Sequence, residues 1–263
     1  MMKNITVENA VEIINSFGSL YTMELDSLQF LIKDKTEFEC LQNDDILMIM
    51  NPREDATYVT IIPFHPEFNI SDVVKTIKSK CDKAVILLNT YILKSDFIDL
   101  FEREWGNELV AEGIGKDYIH TGGEVKNVDN KSIRVLTEPD KDIFVACTDE
   151  SMPYRPPLAV LFDVFVNRGH GQILAAFEDE KIIGYLSFIE ISETFYDVDY
   201  VYVVPHKRNL GIGNKLAKAY VEYANKHNHT AYWSNAKNEA SENTAKACGF
   251  ELIREVRIYE LYC

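Results

Sequence analysis

Basic residues are scarce in this chain: 27 Lys and Arg stand against 42 Asp and Glu, a formal charge of −15 with a pI of about 4.8. Nucleic acids and anionic membranes both need clustered cations to displace counterions, so neither is an expected partner. Long apolar runs are missing as well. The longest, Ile46–Met50 and Val85–Leu88, are strand-sized, far short of the ~18 residues a spanning helix needs. Met1 to Glu12 has one Lys, two acids and no apolar core, so it does not read as a signal peptide. Cysteine is sparse and scattered: Cys40, Cys81, Cys147, Cys248 and Cys263 form no Cys-x-x-Cys pair. That odd set argues against a disulfide framework or a zinc site, and for reduced thiols in a cytoplasm; no metal is expected. What remains is ordinary for a globular protein with a real core, at 46% hydrophobic and 26% charged residues. A length of 263 residues suits one large domain or two small ones.

The acid is unevenly spread. Residues 1–130 hold 12 Lys and Arg against 23 Asp and Glu, and residues 131–263 hold 15 against 19. Between them Thr121–Asn130 is polar and carries two glycines, a candidate seam between domains of residues 1–125 and 131–263. The first part reads as mixed α and β. Ile5–Ile14 has helical periodicity, Ile46–Met50 and Tyr58–Ile62 read as strands, and Ser71-Asp72 could cap a helix to Cys81. Lys83–Leu88 reads as a buried strand, and Ser95 as the cap of a helix through Glu104.

The second part is more explicit. Ile133–Leu136 and Ile143–Ala146 read as extended, and Pro157 opens a helix from Leu158 to Asn167 that Gly169 ends. Gln172–Phe177 and Lys181–Ile191 flank a polar turn, and Asp197–Val204 is a strand stopped by Pro205. Ile212, Leu216, Tyr220 and Ala224 then recur on one helical face. A short strand at Ala231–Ser234, a helix at Glu239–Cys248 and a strand at Glu251–Leu261 complete a mixed α/β order.

One stretch carries chemistry. Arg208-x-x-Gly211-x-Gly213 lies between a strand and an amphipathic helix. Glycines there let backbone N–H groups approach a ligand, and the helix start adds unpaired donors and partial positive charge. Such a turn can cradle a pyrophosphate, or simply turn tightly. A dinucleotide fingerprint needs a third glycine where Leu216 stands, and a P-loop needs Gly-Lys-Ser/Thr, which is absent.

The run Val203-x-Pro205-x-x-Arg208-x-x-Gly211-x-Gly213 resembles the acetyl-CoA loop of the GCN5-related N-acetyltransferases. A second stretch, Asn238-x-x-Ser241-x-x-x-Ala245-x-x-x-Gly249-Phe250, is similar to that family's closing helix. Pro156-Pro157, the Gly171–Glu178 strand and Trp233-Ser-Asn235 look like the two-domain branch named for zwittermicin A resistance. The resemblance covers residues 131–263. It implies a C-terminal GNAT fold, with a smaller first domain that is a degenerate copy.

It also implies roles. Arg208 would flank the pyrophosphate of acetyl-CoA, with backbone donors from Asn209, Leu210, Gly211, Ile212, Gly213 and Asn214. Tyr202, Val203 and Val204 would run beside the pantetheine arm. Asn238 would touch that arm or serve as a helix cap. Asp199 aligns with the family's acidic strand position, a candidate general base, with Asp197 next on the same face. His206 reads as a surface residue and Cys248 as a packing thiol. The family's usual proton-donating Tyr falls on Ala245, which leaves the general acid open between Tyr232, Tyr259 and solvent. The expected activity is acetyl-CoA-dependent N-acetylation of a small-molecule primary amine, by direct attack in a ternary complex. A non-catalytic acyl-CoA sensor and a protein N-acetyltransferase are the alternatives.

Overall fold

The computed structural model describes residues 2–17, 21, 24–25, 28, 31–32, 36–90, 92–122, 132–147, 157–169, 171–191 and 193–262. Most of the expected seam and Pro156 lie outside them. The chain forms two compact units, Met1–Lys116 with Arg254–Cys263, and Asp117–Ile253. A division at the seam would leave the whole final strand with the second half. The compact units instead give its Arg254–Cys263 stretch to the first.

Unit 1 contains β1 (Lys3–Ile5), α1 (Val7–Ser16), β2 (Glu39–Gln42), β3 (Ile46–Pro52) and β4 (Thr57–Pro63). After them come α2 (Ile70–Lys80), β5 (Lys83–Asn89), α3 (Ser95–Trp105) and β6 (Leu109–Ile119), whose last residues belong to unit 2. Strand order is β1-β2-β3-β4-β5, then the final strand β12 (Glu251–Tyr262), then β6. β4 and β5 run parallel, while β12 lies antiparallel to β5 from Val256↔Asn89 to Tyr262↔Lys83. β3 is buried from Ile46 to Asn51, which explains its unbroken apolar run: both faces are covered. Val73 and Ile77 of α2 and Phe97 and Phe101 of α3 pack one face, and Ala10 and Ile14 of α1 the other. The α2 cap is Asn69 rather than the expected Ser71-Asp72; its Oδ1 accepts the Asp72 N–H at 3.2 Å.

Unit 2 repeats much of this plan. It contains β7 (Ile133–Val135), α4 (Lys141–Val145), α5 (Leu158–Phe162, continued by a π-turn to Asn167), β8 (Gly171–Glu178), β9 (Lys181–Glu190) and β10 (Phe195–Val203). Then follow α6 (Ile212–Lys226), β11 (Thr230–Ala236) and α7 (Glu239–Ala247). The order is β11-β10-β9-β8-β7, with the end of β6 beside β11, where His120 N–H donates to Ala231 O at 2.9 Å. β10 and β11 are parallel, and the β9–β10, β8–β9 and β7–β8 pairs are antiparallel. Ile212, Leu216, Tyr220 and Ala224 are all buried, so the period-four stripe is the core face of α6. The second cluster, on Phe144, Phe162, Tyr185 and Tyr202, covers the opposite face.

Ile143–Ala146 is not extended. Thr137 and Asp140 form a reciprocal capping box that starts a helical turn, and α4 follows directly. Phe144 is fully buried while Ile143 and Val145 stay 40% and 37% exposed. The β-branched run imitates a strand, but only one side chain in it has a core to enter.

Candidate active site

The parallel ladder between β10 and β11 covers only Phe195–Asp197 against Thr230–Tyr232. Beyond it the strands enclose a groove of about 1060 Å³. Val198–Val203 line one side and Trp233 and Ser234 the other. The loop Lys207–Asn209, the start of α6 and one flank of α7 complete it. The matching pair in unit 1, β4 and β5, stays in register over five positions, Thr57–Ile61 against Ala84–Leu88. There is no equivalent fork in that ladder.

The groove's first end is shaped for an anion. Pro205 starts a tight turn, and Asn209 and Gly211 take left-handed φ values of 63° and 77°. Gly211 is the N-cap of the 15-residue α6, and no side chain caps that helix. Its first N–H groups have no partner within the helix, and Ile212, Gly213 and Asn214 line the groove. A Cβ on Gly213 would meet nothing closer than Thr244 Oγ1 at 3.7 Å, so a side chain there would fill the cradle. Arg208 Nε donates to Val203 O at 3.0 Å, tying the arginine to the strand end. Lys207, which pairs with Glu178, and Lys237 add positive charge. An uncapped helix start with three cations, in a chain of net charge −15, suits a phosphate-bearing ligand. In unit 1 the corresponding α2 is closed by Asn69 and carries Asp72 in its first turn.

The remaining expected cofactor contacts divide. Tyr202 and Val203 line the groove, and because the Tyr202 ring is buried among Tyr185 and its neighbours, the strand backbone is what Tyr202 offers. Val204 and Leu210 do not line it: Val204 N–H donates to Ile183 O at 3.0 Å, and Leu210 is 64% exposed on the turn. Asn238 lines the groove and also caps α7, its Oδ1 accepting the Ser241 N–H at 2.9 Å. Only its Nδ2 is left to offer a ligand.

The other end is acidic. Strand β10 has a bulge at Asp199: Val198 pairs Phe188, while Tyr200 pairs Ser187. The bulge reverses the alternation, so Tyr196 and Val198 face the α6 cluster before it, and Val201 and Val203 after it. Asp199 is exposed, lines the groove and accepts the Ser187 hydroxyl at 2.8 Å. Asp197 accepts the Ser234 N–H at 2.9 Å and its hydroxyl at 2.7 Å. Although Asp197 as a residue is only half-buried, protein surrounds its carboxyl; that burial, with negative Asp117 and Asp199, pushes it up to about 7 despite the Ser234 bonds. Asp117, buried at the end of β6, accepts the Tyr232 hydroxyl at 2.9 Å.

His206 is exposed on the turn and does not line the groove. Cys248 is buried, its Sγ 3.4 Å from Asn214 O and its thiol pushed up by burial to about 11, a packing thiol as expected. Ala245 is fully buried in the α6 cluster with Trp233 and Phe250. Tyr259 sits in the core of unit 1 with its hydroxyl on Glu102, and Tyr232 is fully buried with its hydroxyl on Asp117. Neither presents a hydroxyl to the groove. Sequence reasoning missed Ser187, Ser234 and Asp117. Only Ser234 lay in a stretch already singled out.

Residues 136–250 match the model of the acetyltransferase (GNAT) family, whose members use acyl-CoA as co-substrate. No curated protein matches the chain. Among solved structures it is similar to a GCN5-related N-acetyltransferase from Sphaerobacter thermophilus, with TM-score 0.66 and 12% identity over 99% of this chain and 94% of that one. A GCN5-related N-acetyltransferase-like protein from Streptococcus suis gives 0.57 and 14% over 97% and 100%. A tandem GNAT protein from the clavulanic acid biosynthesis pathway gives 0.59 and 13% over 99% and 97%. Likenesses at such identities show the fold, which is a GNAT fold over nearly the whole chain. The family match is confined to residues 136–250, less than half of the chain, and supports an acetyltransferase reading for that part.

Proposed function

We propose that unit 2 binds acetyl-CoA in this groove and transfers its acetyl group to the primary amine of a small molecule, with both substrates bound at once. The observation that carries this is the uncapped, glycine-opened start of α6 facing a groove between forked strands. Backbone N–H groups of Gly211, Ile212, Gly213 and Asn214, with Asn209 and Arg208, would hold the pyrophosphate. The edges of Tyr202 and Val203 would meet the amides of the pantetheine arm. When bound, acetyl-CoA supplies an activated thioester. Asp199, exposed at the bulge and held by Ser187, takes the proton of the attacking amine. The bulge also frees backbone from the ladder where an oxyanion donor is useful.

In unit 1 the helix that follows β4 is capped by Asn69 and the β4–β5 ladder has no fork, so we read the unit as a copy of the fold that has lost the cofactor site. Such a tandem plan agrees with the resemblance of the Gly171–Glu178 strand and Trp233-Ser-Asn235 to the zwittermicin A resistance-type branch. Among the described residues Cys40, Cys81, Cys147 and Cys248 form no disulfide, as a reducing cytoplasm would leave them. Among the described residues no helix is long and apolar enough to cross a membrane. Intact-mass assays with acetyl-CoA against pools of polyamines, aminosugars and peptides test the reading. Acetylation of a small amine is expected. Peptide product alone would favour a protein acetyltransferase, and coenzyme A binding without any product would favour a sensor.

A further inference from the structure

The fork between β10 and β11 holds a hydroxyl–carboxyl pair at its base. Where the ladder ends, the Ser234 N–H would lose its strand partner; Asp197, the last paired residue of β10, accepts it. The same carboxyl accepts the Ser234 hydroxyl at 2.7 Å. Ser234 lines the groove and Asp197 does not. An acid therefore stands one hydrogen bond behind the hydroxyl of a groove-lining serine. Among the other hydroxyl residues along the groove, Thr244 donates to Ala240 O, Ser241 accepts the Trp233 indole N–H, and the rings of Tyr200 and Tyr202 pack against Tyr185.

We propose that Ser234 delivers the proton to the departing thiolate of coenzyme A, and that Asp197 stores it. The proposal rests on the reading of the groove as an acetyl-CoA site. The groups around Asp197 are Ser234 from β11, Asp117 from β6 with the Tyr232 hydroxyl on it, Asp199 from its own strand with the Ser187 hydroxyl on it, and Tyr220 from α6. Tyr220 stays neutral, its hydroxyl donated to backbone carbonyls of Tyr196 and Tyr232. Burial and two carboxylate neighbours thus let Asp197 hold a proton near neutral pH.

Protonation reverses the pair. The Asp197 O–H then donates to Ser234 Oγ, and the serine's own hydrogen turns to the groove. As the C–S bond breaks, that hydrogen forms the S–H bond, the Asp197 proton moves to Ser234 Oγ, and Asp197 becomes a carboxylate. The acceptor ammonium loses two protons on becoming an amide. One leaves through Asp199 to solvent, and the second replaces the proton given to sulfur. Asp197 acts through Ser234 and is a positioning residue; Ser234 is the catalytic one.

Carbon-13 carboxyl NMR of the full chain reads Asp197 without any ligand. Its signal, identified by its loss in Asp197→Asn, should titrate near 7. Ser234→Ala removes the hydroxyl but keeps the backbone N–H bond that secures the fork, so coenzyme A affinity by calorimetry should hold within a few-fold. Thiol release from acetyl-CoA, with an active amine or with water as acceptor, should fall on the order of 10²-fold. The wild type should lose rate above about pH 7, and that loss should vanish in Ser234→Ala and return in Ser234→Thr. An Asp197 carboxyl titrating below about pH 5, or Ser234→Ala with unchanged turnover and pH profile, overturns the proposal. A wild-type chain that fails to bind coenzyme A overturns the acetyl-CoA reading as well, which separates the two failures.

Discussion

Gly213→Val should separate stability from binding. Gly213 has no left-handed φ, and a Cβ there makes only ordinary contact, 3.7 Å from Thr244 Oγ1. Glycine inside a helix is about 0.8–1.0 kcal/mol worse than alanine, so filling this position should leave the fold as stable as before or slightly more so. The side chain would instead project into the groove and hold a pyrophosphate away from the first N–H groups of α6. Each hydrogen bond to a charged group contributes about 1.5–3 kcal/mol. Losing one or two of them weakens coenzyme A by roughly 10- to 10⁴-fold, at 1.4 kcal/mol per decade. Gly211→Val should weaken binding too, but it also forces a β-branched residue to φ 77° and destabilises the chain by about 1–2 kcal/mol. Thermal unfolding alongside calorimetry with coenzyme A measures both quantities. A folded Gly213→Val chain that binds coenzyme A with wild-type affinity would refute the helix-start cradle and the function built on it.

Asp199→Asn should lower kcat on the order of 10²–10⁴-fold with acetyl-CoA affinity unchanged; near-normal turnover across pH would move the base elsewhere. Tyr220→Phe should destabilise the chain by about 1–3 kcal/mol in urea unfolding, because its buried hydroxyl serves the carbonyls of both Tyr196 and Tyr232. His120 is buried against Phe250, its Nδ1 has no partner among the described residues, and burial holds its pKa below the usual value. The folded chain therefore binds that proton less readily than the unfolded one. Its contribution to stability is complete above about pH 6.5 and is lost as pH falls through that value toward the depressed one. His120→Phe should flatten that part of a stability–pH curve, and an unchanged slope would show that other groups cause it.

The anion end of the groove was legible because it is local. Arg208, Gly211 and Gly213 sit within one turn, and the stripe from Ile212 to Ala224 orients the helix behind them. The proton-handling end was only half legible. Asp199 could be aligned on its strand, but its bulge and Ser187 partner depend on register with β9. Asp117 reaches the Tyr232 hydroxyl from 115 positions away, and no periodicity links them. β6 itself escaped notice: Gly113 and Gly115 interrupt it, and charged residues break the apolar alternation a strand should show. The α4 segment failed for the opposite reason, a β-branched run whose capping box decided its conformation.

The assignment of Arg254–Cys263 to unit 1 fixes an order of events during synthesis. Translation completes β5 and α3 early, yet one edge of β5 waits for residues that follow all of unit 2. Glu24 likewise waits for Arg254, its partner 230 positions later. Unit 2 has no such debt, since the segment from Asp117 onward is made before the strands it joins. The half that begins first is therefore the half that finishes last. A ribosome stalling anywhere in unit 2 would leave β5 with a bare apolar edge, the surface on which strands of other chains can add.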